Sequence, residues 1–228
     1  FEDCRPFGIR LLSIYGSTES SPHSLVRLND TREHTEETDG CAVDGVEIRV
    51  VDDARHEVPH GQEGEEASRG PQVFVGYWGE PEMTARALDA DGWYYSGDYC
   101  RTDSEGRYIR ITGRKKDIIV RGGENISSRE VEDIVLEYPG VREAAVVAMP
   151  DERLGERSCA CVSMRPGAPA LHLTDLVAFF DGRRVAKYKF PEYLVVLDAL
   201  PRTSSGKLQK FALARMVRER VAAGQPSD

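Results

Sequence analysis

The sequence predicts an α+β fold in two parts, and three observations carry that reading. Residues 1 to about 112 read mostly as β, because short alternating apolar runs are separated by polar, turn-rich stretches. From about residue 117, helical and strand periodicities follow one another at short intervals. Between them lies "GRKKD", residues 113–117, a basic break in both patterns. The expected division is therefore 1–115 and 116–228, the second part being a compact α+β unit of about 110 residues.

Taken in order, "FEDCRPFGIRLLSIYG" runs into an apolar strand almost at once. "NDTREHTEETDG" (29–40) is polar and reads as a loop. "GVEIRVVD" alternates Val46, Ile48 and Val50 against Glu47 and Arg49, the pattern of a half-buried strand. "DDARHEVPHGQEGE" (52–65) reads as a turn-rich connection, and "PQVFVGYW" (71–78) and "GRYIRITGR" (106–114) as further short strands. In "NISSREVEDIVLEYPG", Ser127 and Glu130 have capping-box spacing. Val131, Ile134, Val135 and Tyr138 then fall on one helical face, and Pro139-Gly140 ends the helix. "VREAAVVAMP" and "RSCACVSMR" read as strands, "LTDLVAFFDG" as a helix stopped by Gly182, and "EYLVVLDAL" as a strand. A closing helix, "KFALARMVRERVAA" (210–223), puts Leu213, Met216 and Val217 on one face.

Composition narrows the function. The chain has 228 residues, 40% hydrophobic and 30% charged, as an ordinary globular protein does. No apolar run approaches the ~20 residues of a membrane span, and no signal-peptide pattern is present. The first residue is not Met, which suggests a fragment. A net charge of −9 disfavours nucleic acid as the main partner. From Arg183 to Arg220, however, ten Lys or Arg (183, 184, 187, 189, 202, 207, 210, 215, 218, 220) face three acids (192, 198, 219), which suggests a polyanionic small molecule. Five cysteines without a C-x-x-C imply reduced thiols and a cytoplasmic setting, with Cys159 and Cys161 on one strand face. The five histidines show no metal-ligand spacing.

Four stretches carry chemistry. "PRTSSGKLQK" (201–210) presents Lys207 from a small-residue loop. It is not a Walker-type loop, since Pro201 replaces the first glycine and Leu208 the magnesium-binding hydroxyl. "YGSTES" (15–20) offers a turn, a hydroxyl and a carboxylate after a strand; "GWYYSGD" (92–98) ends in Gly-Asp; "ITGRKKDIIVRGGENISSREVE" (111–132) joins a basic cluster to a Gly-Gly pair and a capped helix.

In this order the four resemble the late motifs of the adenylate-forming superfamily: acyl-CoA synthetases, luciferases and the adenylation domains of peptide synthetases. The resemblance covers the whole chain and is strongest with bacterial short- and medium-chain fatty acyl-CoA synthetases, with cyclohexanecarboxylate-type CoA ligases close behind, which implies short- or medium-chain fatty or alicyclic acids as the carboxylate substrate. It implies the β-rich end of a large N-terminal domain followed by a small mobile C-terminal domain. It also implies ATP and CoA as substrates with Mg²⁺ as cofactor. Tyr15 and Gly16 would lie at the nucleotide, Thr18 at phosphate, and Glu19 on Mg²⁺. Asp98 would accept the ribose hydroxyls, Arg114 would bind ribose and phosphate, and Lys207 would approach the reacting carboxylate and α-phosphate. Lys116 would be the hinge, and Gly122, Gly123 and Glu124 would line the CoA channel. Lys207 is also a candidate for regulatory acylation.

Some parts depart from the pattern. The family's earlier phosphate loop and most of the acyl pocket are absent, which implies a chain inactive alone. Ser96 replaces the commoner Thr, and Val120 stands where some relatives carry a lysine. Two alternatives are an adenylating enzyme with a carrier-protein acceptor and a noncatalytic fragment that keeps the fold.

Overall fold

The computed structural model describes residues 2–222. The chain forms two compact units that divide between Lys115 and Lys116. A short 3-10 turn, Lys115–Asp117, carries the chain from one to the other.

The first unit opens with a 3-10 helix, Glu2–Phe7, where an apolar strand was expected. Pro6 and Gly8 (φ +68°) interrupt the extended run, and pairing begins only at β1 (Ile14–Ser17). β1 pairs antiparallel with β2 (Ser21–Leu25), and β2 with β3 (Cys41–Ala42). The expected loop at 29–40 contains a helix, α1 (Arg32–Glu37). Its cause is local: the Thr31 side chain accepts from the His34 N–H, and Arg32 pairs with Glu36 one turn on. The His34 ring also stacks on Tyr108 at 3.8 Å.

A four-stranded antiparallel meander follows: β4 (Glu47–Val51), β5 (Glu63–Arg69), β6 (Tyr94–Thr102) and β7 (Ile109–Arg114). Its small core joins Val51, Ala67, Trp93 and Tyr95, and the Arg49 guanidinium lies 3.9 Å from the centre of the Trp93 ring. Residues 71–78, expected as a strand, have no strand pairing. Phe74 donates its N–H to the Glu19 carbonyl (2.7 Å) and packs edge-on against Tyr77 and Tyr94. Val75 and Trp78 are fully exposed. Helix α2 (Pro81–Ala87), begun by its proline, was not expected.

In the second unit β8 (Ile118–Arg121) and β9 (Glu124–Ser127) form a hairpin that leads into α3 (Ser128–Leu136). The Ser127 hydroxyl accepts from the Glu130 N–H, as the capping spacing predicts. The long strands β10 (Val141–Asp151) and β11 (Gly155–Met164) pair antiparallel; β12 (Tyr193–Val196) runs parallel to β11. Helices α4 (Leu173–Asp181) and α5 (Lys210–Ala222) complete the unit. Ala223, the expected end of α5, lies outside the described residues.

Strand alternation separates two cores. Val146, Ala160, Val162 and Leu194 face one side with Val131 and Val135 of α3 and Leu176 and Phe180 of α4. Ala145, Val147, Cys159, Cys161 and Val195 face the other side with Leu213 and Val217 of α5. The two thiols are free, buried and 3.9 Å apart. Among the described residues no helix is long and apolar enough to cross a membrane.

Leu176 is fully buried between α4 and the sheet. Leu176→Ala should therefore lower the stability of the second unit by about 2–5 kcal/mol, read from the midpoint of its urea unfolding.

Candidate functional site

The Ser-Gly-Asp stretch is a β-bulge. Glu65 pairs with Tyr99 and Ala67 with Tyr95, so Ser96, Gly97 and Asp98 of β6 stand opposite the single residue Glu66 of β5. Gly97 takes φ +70°, which favours glycine there. The displaced backbone groups find partners. The Gly97 N–H donates to Glu65 Oε1 (3.0 Å) and the Asp98 N–H to Ser96 Oγ (3.1 Å), while Ser96 Oγ donates to the Glu66 carbonyl (3.0 Å).

Around Asp98 the first unit gathers two more of the predicted residues, Tyr15 and Arg114. The Tyr15 hydroxyl donates to Asp98 Oδ2 (2.9 Å), and Arg114 Nε lies 3.4 Å from Oδ1. The Asp98 side chain is about one-sixth exposed and the Arg114 side chain more than half. Burial, then the Glu66 and Asp98 carboxylates, push the Tyr15 phenol far above its ordinary value. It therefore stays protonated and keeps its donor.

The turn between β1 and β2 carries Thr18 and Glu19. Gly16 is required there by close approach, since a Cβ would lie 2.6 Å from the Pro22 Cα. Thr18 is exposed. One Glu19 oxygen, Oε1, accepts from the Tyr77 hydroxyl (3.0 Å). Ser21, at φ +50°, closes the turn in a conformation uncommon outside glycine.

Three groups that sequence reasoning missed lie beneath and beside these segments. His23 and Glu66 are both wholly buried, with Nε2 and Oε1 3.1 Å apart. Lys115 Nζ sits 2.7 Å from Asp53 and 3.1 Å from Glu65, and these contacts, Asp53 first, raise its pKa well above that of a free lysine. The available signal was "GEE": adjacent acids in a strand point to opposite faces, so one of them must be buried or bridged.

The second unit presents Lys207 from a tightly bonded loop. The Thr203 N–H donates to the Lys207 carbonyl (2.8 Å), the Lys207 N–H to Thr203 Oγ1 (3.0 Å), and the Gln209 N–H to the Pro201 carbonyl (2.9 Å). Gly206 takes φ +86°. Arg202 pairs with Glu143 on β10, which holds that carboxyl below its usual range. The Lys207 side chain is exposed. Gly122 (φ +59°) and Gly123 (φ +92°) form the two-residue turn of the β8–β9 hairpin, a turn type that needs positive φ at both positions. Glu124 follows at the strand edge, and Lys116 and Val120 are exposed.

Half of the ten cations of the basic stretch pair with acids within the unit, Arg202 among them. Arg183 pairs with Glu137, Lys189 with Glu130, Lys210 with Glu132 and Arg215 with Glu219.

These features define an adenylate-forming enzyme fold, and the chain belongs to that AMP-binding family. The family model described as AMP-binding enzyme matches residues 1–78, and that of the AMP-binding enzyme C-terminal domain matches residues 130–207. The medium-chain fatty-acid–CoA ligase of Escherichia coli is 64% identical over 219 residues, 96% of this chain and 38% of that protein. The human mitochondrial medium-chain acyl-CoA ligase ACSF2 is 38% identical over 89% of this chain and 33% of its own length. Among solved structures, ATP-bound MatB from Rhodopseudomonas palustris matches with a TM-score of 0.86 and 34% identity, covering 93% of this chain and 41% of that one. The chain thus spans about two fifths of the length of the relatives it matches.

Burial alone would lower the His23 pKa, but the hydrogen bond and charge of Glu66 more than offset it, so the imidazole stays protonated above its ordinary value. The pair's stability is fully present below pH ~6.5 and is lost as pH rises through the folded-state value. NMR titration should place the His23 midpoint above ~6.5, and Glu66→Gln should lower it, because the carboxylate that opposes burial is lost while the backbone bonds at Ser20 and Ser21 remain.

Proposed function

We propose that this chain is the nucleotide-contacting and lid portion of an ATP-dependent acyl-CoA synthetase acting on medium-chain carboxylic acids. The observation that carries this reading is the convergence of Tyr15 and Arg114 on the Asp98 carboxylate at the tip of the Ser96–Asp98 bulge. A two-oxygen acceptor beside an aromatic ring and a guanidinium suits a nucleoside: ribose hydroxyls to Asp98, the base along Tyr15, ribose and phosphate to Arg114. The 64% identity with a medium-chain ligase supports the substrate class.

The reaction joins two anions. A carboxylate oxygen attacks the α-phosphorus of ATP; a P–O bond forms, the α–β bridge breaks, and pyrophosphate leaves. The barrier is chiefly electrostatic. Lys207, exposed on a loop whose backbone is already bonded, meets the charge that develops there. Thr18 donates to phosphate. Glu19 fits as the protein's ligand to Mg²⁺, a carboxylate with one oxygen fixed by Tyr77. Magnesium is commonly held by one or two carboxylates plus substrate phosphates, and it would neutralise phosphate charge there. Among the described residues no cluster of three or more His, Cys, Asp or Glu could hold a metal by itself.

In the second half-reaction the CoA sulfur attacks the acyl carbonyl, a C–S bond forms, AMP leaves, and the thiol proton passes to solvent. The Gly122–Gly123 turn, with no side chains, suits the approach of a thin pantetheine arm past Glu124. Lys116 is the proposed pivot between the two half-reactions. Acylation of Lys207 would remove its charge and silence adenylation alone.

In the full-length enzyme, Lys207→Ala should slow acyl-adenylate formation by at least about a hundredfold while sparing thioester formation from supplied acyl-adenylate. Equal loss of both half-reactions in rapid-quench assays contradicts the alternation. Lys116→Pro should damage the thioester step more than adenylation, because proline fixes φ near −65° at a residue that must change its dihedrals. Intact rates for both steps would move the pivot elsewhere.

A further inference from the structure

His23 and Glu66 meet where no solvent reaches either side chain, and each also holds a segment on the nucleotide-binding side. On the His23 side, Nδ1 lies 3.0 Å from Ser20 Oγ and 2.9 Å from the Ser21 carbonyl, at the close of the Thr18–Glu19 turn. On the Glu66 side, the carbonyl accepts from Ser96 Oγ, which in turn accepts from the Asp98 N–H. Glu66 Oε2 faces the Tyr15 hydroxyl at 3.5 Å, and the Tyr15 ring stands edge-on to the His23 ring at 5.1 Å.

Both imidazole nitrogens therefore face acceptors, a carbonyl and a carboxylate. An imidazolium satisfies both, and it supplies the counter-charge that a buried glutamate requires. The two segments are far apart in sequence and belong to different sheets of the first unit. This ion pair is a bonded link between them that does not pass through Tyr15.

The geometry points to His23 and Glu66 as positioning residues for ATP: their buried pair locks the Thr18–Ser21 turn to the Ser96–Asp98 bulge, so that the phosphate-facing and ribose-facing groups are set before the nucleotide arrives. This rests on the reading of Tyr15 and Asp98 as nucleotide contacts. Neither side chain touches the ligand. Their loss costs nucleotide affinity by letting the two segments move independently, and it leaves the charge-stabilising groups of the chemical step in place.

The test uses the full-length enzyme and ATP itself. The double variant His23→Leu/Glu66→Leu removes both charges and keeps the site filled, a replacement that buried pairs often tolerate without loss of stability. Its Kd for ATP should rise about tenfold, the equivalent of one or two positioning hydrogen bonds, with kcat at saturating ATP changed by less than about threefold. Glu66→Gln removes the charge, but its amide can bond Nε2 of either form of the imidazole, accepting from the N–H or donating to the bare nitrogen, so it should recover most of that affinity. As the reference, Asp98→Asn should weaken ATP binding at least as much as the double variant.

If Asp98→Asn weakens ATP and the double variant binds like the wild type, the positioning role is overturned while the nucleotide site stands. Unchanged binding in Asp98→Asn overturns the nucleotide site and the positioning role together. Should the double variant not fold, the wild-type Kd for ATP decides as pH is raised through the His23 midpoint. The groups facing the pair are Tyr15, Asp98, Tyr94 and Cys100, and burial holds the phenols and the thiol protonated through that range. A Kd that rises with loss of the imidazolium supports the lock, and a flat Kd overturns it.

Discussion

The first unit depends on one backbone irregularity, the three-against-one bulge by which Ser96, Gly97 and Asp98 of β6 stand opposite the single residue Glu66 of β5. At the end of the bulge Asp98 is in register with Arg114 of β7, and its carboxylate meets both that guanidinium and the Tyr15 hydroxyl. Bulges leave backbone groups without ladder partners, and such groups are costly when shielded from water. The twin acids of β5 meet that cost. Glu65 takes the Gly97 N–H, and the Glu66 carbonyl takes the hydroxyl of Ser96. Because adjacent strand residues point to opposite faces, the two carboxylates need separate cations. Lys115 serves Glu65 near the surface, and His23 serves Glu66 in the interior. Removing either cation would leave a charge at the bulge without its counter-charge.

Electrostatics in the second unit follow the opposite plan. Ten cations between Arg183 and Arg220 suggested one broad field, but half of them are matched against acids of α3, β10 and α5 and against Glu137 at the end of α3. Paired charges contribute little potential at a distance. Lys207 is set apart by its loop. Its loop is held by backbone bonds to Thr203 and Pro201 and by the Arg202–Glu143 pair, while its own ammonium is exposed. An exposed lysine on a rigid turn can be directed at one anion in a way that a diffuse basic patch cannot.

The sequence made the second unit legible almost element by element. Its two central strands are long and apolar, and its helices carry clear apolar faces, so local pattern and tertiary packing agree at Val131, Val135, Leu176 and Leu213. In the first unit local pattern and packing diverge. The apolar residues of 71–78 look like a strand, but Phe74 and Tyr77 pack locally while Val75 and Trp78 point outward. The polar segment 29–40 looks like a loop, but Thr31 and the Arg32–Glu36 pair are enough for a short helix. β5 was hidden because its buried residues are Gly64, Glu66, Ala67 and Ser68, a set that hydrophobic periodicity cannot detect.

The same distinction explains which site residues could be read. Tyr15, Glu19, Asp98, Arg114 and Lys207 sit at turns, bulges and strand ends, where short motifs of small residues mark a special backbone. His23, Glu66 and Lys115 act through pairing across 43 and 50 residues of sequence. No local spacing announces such a pair, since each partner alone is an ordinary residue of a strand. What identifies them is burial without solvent together with an opposite charge in reach, and those are properties of the folded chain. Residues of the proposed nucleotide site are thus legible as motifs, whereas those packed behind them become legible only when the fold brings β2 of one sheet beside β5 of another.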